Sequence, residues 1–152
     1  MIVHDLRPAA TRLIELIEHI PEELLKSPTP CAQYSLRDLL AHVDLSVIYY
    51  IAAANRAPDP PSMLKTGNRA GVLDQDWRTQ LPHDIRTLAR AWQNEAAWTG
   101  TGTRADGVQM PGDLAGLIAL DELVLHGWDI ARTIGRPYTC DVHETQALLG
   151  FI

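Results

Sequence analysis

Glu122 and His126 stand four residues apart within a run of helical spacing that reaches Ile134. On an α-helix this spacing stacks a carboxylate and an imidazole on one face, with Cβ atoms about 5–6 Å apart. The pair supplies two of the ligands a divalent cation needs; equally, it forms an ordinary solvated hydrogen-bonded pair. His42 is the third candidate ligand, set between Ala41 and Val43 in a separate apolar run. Alone it reads as a histidine at the edge of a core with its hydrogen bond satisfied. Joined to Glu122 and His126, it completes a set of two imidazoles and one carboxylate that holds catalytic zinc and leaves positions open. An open position takes up water or a thiol and deprotonates it. Zinc is the first choice, and nickel, iron and manganese fit the same ligand types.

Such a site needs helices that face one another, and helical spacing dominates the chain. Leu6, Ala9, Leu13, Ile14, Ile17 and Ile20 form an amphipathic stripe, with Asp5 as its cap and Pro8 in its first turn, and Pro21 ends it. Ser35 followed by Asp38 resembles a capping box that opens a second helix from Leu36 to about Ala54. Residues 55–83 hold Pro58, Pro60, Pro61, Gly67, Gly71 and Pro82, so they read as a long connection with room for one short helix. A third helix is expected from about Asp84 to Trp98, followed by loop through Thr99–Thr103 and Pro111-Gly112. Asp113 reads as the cap of a fourth helix reaching Ile134, stopped by Gly135 and Pro137. A short fifth helix starts at Asp141. No strand alternation, phosphate-binding glycine loop or internal repeat stands out. The expected fold is an all-α four-helix bundle, and bundles build metal sites from inward side chains on facing helices.

Length and composition agree with one domain, residues 1–152, that buries a core: 46% of residues are apolar and 21% charged. Nineteen acidic side chains against thirteen basic ones leave a net charge of −6 with no Lys/Arg block, which excludes an electrostatic nucleic-acid or anionic-membrane footprint. The longest uncharged apolar run, Leu45–Asn55, is short of the ~20 residues a bilayer span requires. No signal peptide is visible, so a cytoplasmic location with Cys31 and Cys140 reduced is the expectation.

His4, His19, His83 and His143 read as surface residues. Trp92, Trp98, Tyr49, Tyr50 and Trp128 are core aromatics or pocket walls, Trp128 being the best pocket candidate by its nearness to His126. Cys31 lies at a helix entry where a dipole lowers a thiol pKa, but reads more simply as a small buried residue. Asp129, three positions beyond His126, shares its side of the helix; a salt bridge to Arg132 or Arg136 is the alternative.

Thr29-Pro30-Cys31, Tyr34-Ser35, Arg37-Asp38-Leu39-Leu40 and His42-Val43 resemble the second-helix motif of the mycothiol-dependent maleylpyruvate isomerase family. Glu122 with His126-Gly127-Trp128-Asp129, Ala131-Arg132 and Gly135 is similar to that family's fourth-helix motif. The resemblance implies a DinB/YfiT-like four-helix bundle and a metal, usually zinc, held by the residues matching His42, Glu122 and His126. It also implies that the residue matching Asp129 serves thiol-cofactor or substrate binding, and that mycothiol is the thiol. Tyr34 stands where the family usually has Trp. The isomerase has a further C-terminal region that contributes to its active site, and the apolar end of this chain, Phe151-Ile152, reads either as continuing into such an extension or as a tail that docks.

The leading functional expectation is a metal-dependent enzyme that activates a low-molecular-weight thiol for transfer to, or isomerisation of, a small electrophile. Two other readings stay open: a metal-dependent amide or ester hydrolase, and a helical bundle that binds metal or a small ligand without turnover. Related bundles dimerise through helix faces, which makes a homodimer one expectation for assembly.

Overall fold

The computed structural model describes residues 2–56 and 72–151. The first helix, α1 (Arg7–Glu18), turns Ala9, Ala10, Leu13, Ile14 and Ile17 inward. Leu6 occupies its cap position, while the Asp5 carboxylate reaches in from one residue further out to accept the Arg7 backbone N–H at 3.0 Å. A 3-10 turn (Glu22–Lys26) leads on to α2 (Leu36–Asn55), which starts where expected. Its capping box is formed in full: Asp38 N–H donates to Ser35 Oγ at 3.3 Å, and Ser35 N–H donates to Asp38 Oδ2 at 3.0 Å.

The third helix departs from the expectation. α3 runs from Trp77 to Ala91 with Pro82 inside it, rather than from Asp84 to Trp98. A proline there removes one backbone bond, a cost of ~3 kcal/mol. Trp77, Leu81, Ile85 and Leu88 outweigh it by burying one continuous face, each worth roughly 1.5–3 kcal/mol. His83 is therefore helical rather than in a loop, although it is exposed as expected. The remainder of the expected connection, residues 57–71 with Pro58, Pro60, Pro61, Gly67 and Gly71, lies outside the described residues.

A 3-10 turn (Glu95–Trp98) follows, and then a small antiparallel hairpin, β1 (Thr101–Thr103) and β2 (Gln109–Pro111), paired Thr101↔Pro111, Gly102↔Met110 and Thr103↔Gln109. This segment was expected as loop; three-residue strands are too short for alternation to register. The hairpin lies hard against α2, where a Cβ on Gly102 would come within 2.7 Å of the Ala53 carbonyl oxygen.

α4 (Gly112–Thr133) is capped by Pro111, with Asp113 in its first turn rather than at the cap. Gly135, at φ +70°, ends it in a left-handed turn that lets Arg136 N–H donate to Ala131 O at 2.8 Å. A short α5 (Val142–Leu149) begins with a second capping box, Asp141 and Glu144. Glu144 is buried and also receives the Arg12 guanidinium, which ties α5 to α1.

In the bundle α2 packs against α3 and α4, and α1 against α3 and α4. Leu13, Ile17, Leu40, Leu81, Ile85 and Leu120 fill the centre. Trp92 and Trp98 belong to this core, edge to face at 5.2 Å, with Trp98 Nε1 donating to Trp92 O at 2.8 Å. Among the described residues no helix is long and apolar enough to cross a membrane.

Candidate metal centre

The facing pair α2 and α4 brings the three candidate ligands together. His42 Nε2 lies 3.1 Å from Glu122 Oε2, and His126 Nε2 lies 3.3 Å from the same oxygen. One ligand atom from each residue falls within 4.8 Å of the other two. The two imidazole rings meet edge on, 4.9 Å between centroids and 86° between planes. Glu122 and His126 are thus not a solvated surface pair, and His42 is not an isolated core-edge residue.

Two further groups fix these ligands. Ser46, one turn beyond His42, donates its hydroxyl to Glu122 Oε2 at 2.9 Å. Asp129 Oδ2 lies 3.0 Å from His126 Nδ1, and this contact, rather than one to Arg132 or Arg136, is its described bond. A carboxylate on Nδ1 leaves Nε2 as the ligating nitrogen and stiffens the ring, the usual support of a metal-bound histidine. Tyr34 flanks the far side of His42, its ring centroid 5.6 Å away.

The electrostatics match a site built for a cation. Burial pushes the Glu122 carboxyl up, but hydrogen bonds from His126, His42 and Ser46 outweigh it and hold the group well below the usual carboxylate range. Burial also pushes His126 down, yet the bonds to Glu122 and Asp129 win and lift it above its ordinary value. Two neutral imidazole nitrogens and one carboxylate oxygen, converging in a partly buried cleft, fit a divalent ion with open coordination positions.

Other expected residues lie elsewhere. Trp128 is 44% exposed, two positions from His126 and so turned away from it around α4, beside exposed Leu125. Cys31 is half-buried ahead of α2, and Cys31 and Cys140 are both free thiols. His4 is half-buried against Trp98 rather than at the surface. Ser46 was not picked out from the sequence; its signal was a small polar residue four positions after His42, and so on the same side of the helix.

Residues 6–131 match the family described as mycothiol maleylpyruvate isomerase N-terminal domain. Among solved structures, a mutant of the mycothiol-dependent maleylpyruvate isomerase is similar at 18% identity and a TM-score of 0.63. The isomerase without that mutation gives 16% identity and a TM-score of 0.59. Either alignment covers 82% of this chain and 57% of the isomerase chain, so this chain spans less than three-fifths of the length of those relatives. No curated protein matches by sequence. The likeness places the bundle in the DinB-like fold. With a match that runs from the start of α1 almost to the end of α4, the chain belongs to the mycothiol maleylpyruvate isomerase N-terminal domain family.

Proposed function

We propose that the chain holds one divalent cation, zinc as first choice, on His42, Glu122 and His126, and activates a low-molecular-weight thiol there. The thiol is mycothiol, by family membership, and its partner is a small electrophile that is conjugated or isomerised. The observation that carries this reading is the convergence of three ligand atoms within 4.8 Å on two facing helices. When bound, such a cation supplies the positive charge that makes a thiol of pKa about 8.5 a thiolate at neutral pH.

The remaining work falls to the protein. Asp129 holds His126 in the ligating tautomer, and its place on the same side of α4 suits it to orient the thiol or the substrate as well. Ser46 holds one oxygen of Glu122 so that the carboxylate cannot swing away. Partial burial strengthens each of these interactions by thinning the water around them.

Metal analysis of the purified chain beside His42→Ala and His126→Ala tests the reading. Wild type should carry about one divalent ion per chain, as three protein ligands to one ion require, and each variant should lose most of it. Equal metal content in all three defeats the site, and metal-dependent hydrolysis without thiol defeats the thiol reading.

A further inference from the structure

The stripe of α2 that carries His42 and Ser46 continues for one more turn to Tyr49 and Tyr50, and there it meets a cation. Arg104, in the turn between β1 and β2, lies over both rings, with Cζ 4.9 Å from the Tyr49 centroid and 5.9 Å from that of Tyr50. Tyr50 is buried, and burial pushes its hydroxyl pKa up while the Arg104 charge opposes that shift. Tyr50 lies one turn, about 6 Å along the helix axis, beyond Ser46, so the rings that Arg104 covers belong to the stripe of α2 that carries His42 and Ser46.

Two rings and one carboxylate hold this cation, and its hydrogen-bonding capacity is only partly used. Asp106 accepts from Nε and Nη2, two of the five N–H groups in the fork. The side chain keeps 24% of its surface exposed. Holding the hairpin does not require it: Ala105 is buried beside Ile48 and Ala52, and Gly102 brings the backbone against Ala53. Two aromatic faces and one carboxylate fix the guanidinium plane beforehand, which lowers the entropy lost when it pairs with a planar anion.

We propose that Arg104 is a specificity-determining residue that binds a carboxylate of the molecules reacting at the metal centre. The proposal rests on the thiol-activation reading above. The carboxylate belongs either to the electrophile or to the thiol, and a matched pair of probes distinguishes the two. Maleate is compared with uncharged maleamide, and N-acetylcysteine with its amide, by calorimetric titration of the zinc-loaded chain. The same titrations on the metal-free chain report on Arg104 even if the metal reading fails, since zinc content is measured separately.

Wild type should prefer the charged member of at least one pair by about tenfold or more, the scale of a charge-assisted hydrogen bond. Arg104→Gln should erase that preference. Asp106→Asn, which breaks the hairpin bridge but frees the fork, should keep or enlarge it. No preference in wild type, a preference that survives Arg104→Gln, or an equal loss in Asp106→Asn would each overturn the proposal. The last of these outcomes would leave Arg104 as a clasp for the hairpin.

Discussion

Replacing Asp129 by alanine separates its support of a metal ligand from any contact with thiol. Asp129 and His126 are only 13% and 15% exposed, and 3.0 Å separates Oδ2 from Nδ1. A charge-assisted hydrogen bond in that setting is worth roughly 1.5–3 kcal/mol. Loss of a carboxylate behind a metal-bound histidine weakens metal affinity about 10–100-fold, which is the same energy expressed as a ratio. The pH at which this is read matters. In the metal-free chain His126 is lifted above its ordinary pKa, and Asp129 contributes to that lift, so a proton competes with the metal more strongly in wild type than in Asp129→Ala. The full affinity gap is therefore open above the raised His126 pKa, where the ring is neutral in both proteins. It narrows as pH falls through that value, because wild type meets its extra proton competition there. Zinc competition against a chromophoric chelator, run on either side of the His126 titration followed in the metal-free chain, measures both. Equal affinities at the higher pH, or a gap that widens on acidification, would refute the assignment of Asp129 as the support of His126.

Two other substitutions test the frame around the site. Glu144→Gln removes the charge facing Arg12 and should cost about 3 kcal/mol, the low end for a broken buried pair because Arg12 is a quarter exposed, or a melting temperature lower by roughly 6–12 °C. A change within about 2 °C would show that this pair does not anchor α5. Gly102→Ala forces a Cβ against the Ala53 carbonyl and should destabilise by ~1–3 kcal/mol in denaturant titration; an unchanged midpoint would mean the hairpin shifts freely on α2.

The bundle was legible where local chemistry and tertiary packing agree. Ser35 and Asp38 announce α2, and Gly135 announces the end of α4, because a cap is a matter of a few adjacent residues. The candidate pair on α4 was legible for a similar reason, since Glu122 and His126 lie one helical turn apart. His42 was a harder case: eighty residues separate it from Glu122, and only the pairing of α2 with α4 makes them neighbours. Pro82 misled, since a proline predicts a break unless the surrounding face is buried deeply enough to overrule it, as Leu81 and Ile85 do. The hairpin was illegible because its strands are three residues long and rest on α2 rather than on a sheet. Trp128 stood beside the right residue in sequence but faces outward, since two positions along a helix point nearly opposite ways.

The division of donors between α2 and α4 has a mechanical consequence. Glu122 and His126 ride on one helix and His42 on the other, so an ion held by all three would act as a rivet across that seam. Shearing one helix along the other would have to pull the rivet out. Saturation with ion at a hundred times its dissociation constant would add about 2.7 kcal/mol to the unfolding free energy. Thermal resistance of the whole bundle should then report occupancy of the seam with no substrate present.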